Sequence, residues 1–454
     1  MNAAHFNWFW YKSCMCIFCL SLFSSARADD SSAEVDFDYR YFLNPSATQN
    51  FQDLISSGQI NIASVLAAFG VTSPTLPAAF SLSSFPAIGS TGTAPGQIEP
   101  SVAVKLNMFN EWDNKTRSLS FKPFFRYDNM DEYRTHFDIR ELVWTAKYGT
   151  ETQPWQLKVG IDKVFWGTAE SRHLDDVINQ TDLVEDINGE AKLGQPMVRA
   201  TISRQWGTLD FFILPWFRER TFTGPNGRLH PPGLSLATLP VLYESSAKQS
   251  HVDYALHWSK TFNQVDIAFS QFIGTNRDPR ASQNLDYRTI ENPSGLVLNY
   301  DQMTQTGMDL SALAGRWIFK MEALHRSTRY ANYWAAVAGV EYPFNRIFNS
   351  PYDLNAFLEY NYDSRGQPAA IYQSDWFTGF LLNFNNASNT QLKFGVLTDD
   401  NDGSRSTRLD LTSRLTGQWS ARFTGQWYTN IQTDNPLYPI QADSYVQLSI
   451  NRYF

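Results

Sequence analysis

The chain has 454 residues, of which 43% are hydrophobic, 18% charged and 15% aromatic, with 37 Lys and Arg against 45 Asp and Glu. Its mean hydropathy of -0.35 excludes a polytopic helical membrane protein, and its apolar content excludes a disordered chain. The length suggests two or three soluble domains, but one large β-architecture absorbs it equally well.

Residues 1–28 read as an export signal. Lys12 gives a positive start, residues 14–23 form a short apolar run, and Ala26-Arg27-Ala28 supplies a small-x-small cleavage site before Asp29-Asp30. The run is too short for a transmembrane helix; an uncleaved anchor is the alternative. Cys14, Cys16 and Cys19, all the cysteines of the chain, lie within it, so the mature protein is expected to be free of disulfides. Loss of Lys12 and Arg27 leaves 35 basic against 45 acidic residues, a net charge of -10. That balance excludes a basic footprint for nucleic acid.

Residues 34–42 place Val35, Phe37, Tyr39 and Tyr41 on one face of a candidate strand. Residues 45–97 differ. Phe51, Leu54, Ile55, Ile62, Val65, Leu66 and Phe69 recur at helical spacing, and a Ser/Pro/Ala/Gly-rich stretch follows, with Pro74, Pro77, Pro86, Pro95 and Pro100. This segment is read either as a surface or periplasmic extension with a short helix, or as a plug inside a barrel.

From residue 98 to the end, segments of nine to fourteen residues alternate apolar with polar. In 101–111, Val102, Val104, Leu106 and Met108 oppose Lys105, Asn107 and Glu111; in 354–363, Leu354, Ala356, Leu358, Tyr360 and Tyr362 oppose Asn355, Glu359, Asn361 and Asp363. A period of two over so many segments means strands with one apolar and one polar face. Their length suits a tilted membrane crossing. Trp144, Trp155, Trp166, Trp206, Trp216, Trp317, Trp376 and Trp427 cluster near segment ends, as interfacial girdles require.

The terminal segment 444–454 places Val446, Leu448, Ile450 and Phe454 on one face. With the export signal and the alternating strands, this resembles Gram-negative outer-membrane β-barrels. The resemblance implies a transmembrane antiparallel up-and-down β-barrel in the outer membrane, in contact with lipid and lipopolysaccharide. It also implies that the barrel-assembly machinery recognises the last strand through Phe454. Counting gives about seventeen strands from residue 98, and even counts are the rule. Adding 34–42 gives eighteen strands, with sixteen as the alternative. Counting back from a periplasmic Phe454 makes Asn263, Ala314-Gly315 and Gly417 periplasmic turns. The long connections 167–196, 218–249 and 276–299 then fall outside.

The stretch 164–197 leaves a strand at Trp166-Gly167 and is dense in charge, with Glu170, Arg172, His173, Asp175, Asp176, Asp182, Glu185 and Asp186. Leu174, Val177, Ile178 and Thr181 recur at helical spacing and predict a short amphipathic helix. On the strand count this loop joins strands five and six. In general porins the loop at that place folds inward and narrows the pore. The block also resembles uncharacterised proteobacterial porin-like proteins that carry a WG-x-x-ESRHL-x-D-x-INQTDLVE run, with KLGQPM and FRERTF segments matched here by 192–197 and 217–222. Residues 217–233 add Arg218, Glu219, Arg220 and Arg228. The pore candidates are therefore Glu170, Arg172, His173, Asp175, Asp176, Arg218, Glu219, Arg220 and Arg228: if both loops dip inward, acidic residues of one are expected to face basic residues of the other, and the alternative is that both form a salt-bridged external cap or brace the barrel rim.

On the polar strand faces, Lys105, Arg126, Asp138, Arg140, Lys320, Glu322 and Arg414 are expected to line a watery lumen of nearly balanced charge. The motifs of nucleophile-elbow hydrolases, dinucleotide-binding folds, P-loops and zincins are absent, no histidines have metal-ligand spacing, and no cofactor is expected. The sequence reading is a non-enzymatic, porin-like channel for small hydrophilic solutes. Polysaccharide export or specific nutrient uptake is the alternative within transport. A lipid-hydrolase-type barrel or a closed structural barrel is the alternative outside it. A homotrimer is left open.

Overall fold

The computed structural model describes residues 30–45, 61–73, 96–231, 234–289, 292, 295–367 and 369–454. The export signal with its cysteines, Phe51, Leu54, Ile55 and the prolines at 74, 77, 86 and 95 lie outside the described residues. The elements in chain order are β1 (Asp30–Phe42), α1 (Ile62–Ala67), β2 (Ile98–Trp112), β3 (Arg117–Asp128), β4 (His136–Thr150), β5 (Gln153–Asp162), β6 (Gln195–Arg204) and β7 (Gly207–Leu214). Next come β8 (Val241–Tyr243), β9 (Asp253–Phe262), β10 (Val265–Thr275), β11 (Arg280–Gln283), β12 (Leu296–Tyr300), β13 (Gln302–Ala314) and β14 (Trp317–Thr328). The last are β15 (Asn332–Phe344), β16 (Asp353–Asp363), β17 (Ser374–Asn383), β18 (Gln391–Asp399), β19 (Arg405–Arg414), β20 (Trp419–Thr429) and β21 (Tyr445–Tyr453).

Eighteen of these strands form one antiparallel ring, in which β7 pairs with β9, β10 with β13, and β1 with both β2 and β21. The ring is closed, so no strand edge is left to be satisfied by solvent, the condition for a sheet to cross lipid. The strand 34–42 is thus part of the barrel, and the count is eighteen. Phe454 sits where the ring closes, its backbone exchanging hydrogen bonds with Ala33 at 2.9 and 3.3 Å.

The two-residue alternation places the faces. On β1, Phe37, Tyr39 and Tyr41 are exposed on the outside, while Asp36, Asp38 and Arg40 are buried within; on β16, Leu358 and Tyr362 point out, and Glu359, Asn361 and Asp363 point in. The outward belt of exposed Phe, Tyr, Trp and Leu continues around the ring, far beyond the apolar patch of a soluble monomer. Trp155, Trp206, Trp216, Trp317 and Trp376 belong to this exposed set. Trp166 does not. The chain turns into the lumen after β5, and the Trp166 ring is buried there, stacked on His257 at 4.8 Å and edge-on to Phe212.

The connections 163–194, 215–252 and 276–301 fall at one end of the barrel, and the tight turns 151–152, 205–206 and 263–264 fall at the other, together with Asp30 and Phe454. At the long-loop end, β12 pairs in parallel with β8 and antiparallel with β11 to make a small second sheet. This sheet and α1 share an apolar core in which Val65, Leu66, Phe69 and Val71 meet Leu183, Phe222, Leu236, Leu296, Leu298 and Ile440. The helix starts where Asn61 Oδ1 accepts the Ala63 N–H at 2.8 Å. Its apolar stripe therefore packs into a cap over the long-loop end.

Candidate functional site

Residues 163–194 leave β5 and re-enter at β6, and in between they cross the lumen. The helix predicted over 174–181 is not formed: the segment is bends and irregular chain, ending in an isolated bridge from Thr181 to Lys192. The reason lies in the wall. A helix would satisfy its backbone internally, whereas here Arg277 donates to the Val177 and Ile178 carbonyls at 3.1 Å, the Leu193 N–H donates to that of Gln180 at 2.8 Å, and buried strand carboxylates accept N–H groups of the stretch leading in. Glu322 on β14 takes those of Thr168 at 2.5 Å and of Ala169 and Leu174 at 2.7 Å. Glu359 on β16 takes those of Glu170 and Ser171 at 2.8 Å, and the Ser171 hydroxyl at 2.6 Å. Gly167, at φ +122°, carries the chain past Glu322, whose Oε1 lies 2.8 Å from where a Cβ would stand. The apolar spacing marks burial without helix: Val177 and Ile178 join Val164, Trp166, Phe212 and Phe272 in one cluster, and Leu174 joins Leu324 and Val337 in another.

The pore candidates occupy distinct places. Glu170 meets Lys320 at 3.1 Å and Lys393 at 3.4 Å; burial would raise its carboxyl, but the two ammonium groups hold it below the usual range. Arg172 reaches Asp363 at 3.3 Å and lies over the Tyr372 ring. His173 packs edge-on against Phe165, and burial, aided by Lys192, pushes it down to about 4, so it is neutral at pH 7. Asp176 meets Lys192 at 3.3 Å, yet burial outweighs that partner and raises its carboxyl. Asp175 is fully buried away from the open lumen; its Oδ2 accepts the Ser270 hydroxyl at 2.7 Å, and its Oδ1 has no hydrogen-bond partner among the described residues, with the carboxyl of Asp309 of β13 nearby. Gly307 makes this seat, because a Cβ there would lie 1.5 Å from Asp175 Oδ1.

The basic candidates of the next loop each have a carboxylate of their own. Arg218 pairs with Asp138 at 2.8 Å, Arg220 with Asp278 at 2.5 Å and Arg228 with Asp443 at 2.6 Å; Glu219 accepts from Gln249 at 2.9 Å and from the Tyr243 hydroxyl. Arg220 lines the same chamber as Asp176, whereas Asp175, Arg218 and Arg228 are not part of its lining. Of the lumen candidates, Lys105 pairs with Asp36, Arg126 with Asp38 at 2.6 Å and Glu185 at 2.8 Å, and Arg140 with Asp138 at 3.1 Å and Asp182 at 2.6 Å. Lys320 also meets Glu341 at 2.9 Å. Arg414 is exposed at the short-turn end of β19, on the face of Arg408 and Asp410.

Sequence reasoning placed Glu359 on a polar, lumen-facing strand face but left out Ser270, Gly307, Asp309, Asp278, Lys163 and Lys393 as site residues. Strand parity puts Glu359, Asp309 and Lys393 on inward faces, but only the path of the loop shows which of them it meets. Asp278 stands between Arg220 and Arg326, 2.5 Å from each; burial alone would raise it, and the two guanidiniums hold it well below the usual carboxylate range. Asp278→Ala would leave two buried guanidiniums without their shared partner, a cost of about 3–5 kcal/mol. The expected result is a lower unfolding midpoint in urea, followed by the heat-modifiable band shift; an unchanged midpoint would refute the pairing.

The space left by the loop is a chamber of about 1050 Å³ lined by the loop, by β1–β4 and by residues of β14, β15 and β18. It shares Ser32, Asn107 and Lys122 with a vestibule of about 650 Å³ toward the short-turn end. Eleven Lys and Arg side chains line the chamber against six Asp and Glu. Among the described residues, no group of three or more His, Cys, Asp or Glu side chains is placed to hold a metal ion.

A closed antiparallel ring with a lipid-compatible outer belt, a charged interior, tight turns at one end and long loops at the other defines a transmembrane β-barrel of the outer-membrane type. The chain is similar in fold to a porin of Rhodopseudomonas blastica, a triple mutant (9% identity, 94% of this chain and 99% of that chain, TM-score 0.38). It is also similar to Wzi of Escherichia coli, described as a carbohydrate-binding β-barrel of group 1 capsule assembly (8%, 95% and 86%, 0.47). A third similarity is to Salmonella typhi OmpF in complex with daunomycin (7%, 94% and 97%, 0.43). No family model and no curated protein matches the sequence.

Proposed function

We propose that this barrel is a porin-like outer-membrane channel for small hydrophilic solutes, narrowed by the loop 163–194 and preferring anions. The observation that carries this reading is the loop's course: it crosses at mid-height to Glu322 and Glu359 and leaves a cation-faced chamber continuous with a vestibule. The carboxylates that neutralise several of these cations, such as Asp36, Asp138 and Asp182, do not line the chamber, so a passing solute meets ammonium and guanidinium groups first. The short-turn end, which carries Phe454, would face the periplasm and the barrel-assembly machinery.

Planar-bilayer recordings across a KCl gradient test the proposal. The expected result is a conducting barrel whose reversal potential favours chloride, and a shift toward potassium in Lys163→Glu plus Lys393→Glu. A chloride preference unchanged in that variant would refute the role of the chamber cations. The cap favours a second reading, a barrel closed by its own loops, because α1, the small sheet and Ile440 pack over the outer end. A heat-modifiable, inserted protein that never conducts would decide for it.

A further inference from the structure

We infer that the chamber holds a binding site for a small aromatic carboxylate, formed by Phe165 and Lys163. The inference rests on the reading of the lumen as a solute path and names what the path recognises.

The stretch 163–166 is extended, so its side chains alternate. Val164 and Trp166 are buried in the apolar cluster against the wall, and Lys163 and Phe165 project to the other side, into the chamber. Residues two apart on an extended chain lie roughly 6–7 Å apart on the same side. That spacing suits an ammonium group reaching a carboxylate while a phenyl ring stacks on the body that carries it.

Each group is unsatisfied in its own way. Phe165 is 62% exposed, in a lumen where other apolar rings of the loop and wall, such as Trp166 and Phe212, are buried. Among the described residues, His173 is the aromatic ring that meets it, edge-on at 4.6 Å. Of the eleven chamber cations, ten have a carboxylate within 4.0 Å; among the described residues Lys163 has none. The charges that act on its ammonium most strongly are the like charge of Arg140, followed by Glu141 and Lys122. An anion is thus invited and a cation repelled. The exposed ring favours a planar apolar body over an aliphatic acid or inorganic phosphate. Phe165 also lines a separate space of about 520 Å³ beside Trp166 and His257, so the ring stands between that space and the chamber.

The test is titration calorimetry on the full-length folded barrel in detergent, with benzoate, acetate (no ring) and benzamide (no charge) as probes. Benzoate is expected to bind roughly tenfold more tightly than either, the size of one charge-assisted hydrogen bond or one ring contact. Lys163→Gln should abolish the preference over benzamide, and Phe165→Ala the preference over acetate. Heat-modifiable migration confirms folding, and Lys163→Met and Phe165→Leu replace any variant that fails it. Benzoate binding no tighter than both controls, or equally tight in both variants, would overturn the site. Binding is read without conduction, so the two readings separate. Benzoate bound with this pattern to a non-conducting barrel upholds the site and removes the channel; conduction without benzoate binding does the reverse.

Discussion

Replacing Glu322 and Glu359 together with Gln is expected to raise single-channel conductance at least twofold and to make the current noisier. Glu322 presents Oε1 to Thr168 and Ala169 and Oε2 to Leu174; Glu359 presents Oε1 to Glu170 and Oε2 to Ser171. Both oxygens of each carboxylate are occupied by donors. A Gln amide must therefore turn its NH₂ against a backbone N–H in either orientation. Charge-assisted hydrogen bonds to buried groups contribute about 1.5–3 kcal/mol each, so each substitution costs the loop about 3 kcal/mol or more. Glu170 would still be held by Lys320 and Lys393, so the loop should loosen around that anchor while remaining inside the barrel. Conductance equal to the parent's, in a variant of normal heat-modifiability, would show that these carboxylates do not set the aperture.

The second large effect is a rise in conductance between about pH 5 and 8, carried by Asp175. Its buried carboxyl lies close to that of Asp309, and two like charges so placed favour keeping a proton on one of them. Burial, followed by the nearby Glu322 charge, pushes Asp175 up to about 6, against the hydrogen bond from Ser270. The raised value sets the sign. Below about pH 4 the proton is present whether the loop is seated or free, and the seat is at full strength. As pH rises through about 6 the seated carboxyl must lose its proton or leave, and the seat weakens by roughly 3 kcal/mol. Asp175→Asn keeps the shape without the titration and should flatten the profile. A parent profile already flat from pH 5 to 8, or an identical step in the variant, would eliminate this mechanism.

The architecture was legible because its cause is local. A strand has a period of two, lipid on one side and water on the other require opposite residues, and a closed ring needs an even number of strands. Residues such as Phe37 against Asp38, or Leu358 against Glu359, state this one segment at a time. The loop was legible only in part. Its charge and its position between the fifth and sixth strands marked it, yet the spacing of Leu174, Val177 and Ile178 suggested a helix that the molecule does not build. The same spacing served two separate apolar clusters on different walls. The spacing of apolar residues alone does not say which partners will satisfy the backbone, and here the donor to the Val177 and Ile178 carbonyls is Arg277, about 100 residues away.

The sequence by itself therefore determined the barrel, its eighteen strands, the end that bears the long loops and the inward faces that carry charge, since each follows from alternation along the chain. Only the tertiary structure decided which charges cancel. Arg218, Arg220 and Arg228 are neutralised by Asp138, Asp278 and Asp443, partners separated from them by between 58 and 215 residues. Lys163 meets no carboxylate among the described residues. Charge is a property of a residue, but the field in a lumen is a property of distances, and distances between strands and loops are set by closure of the ring and the course of the loop across it.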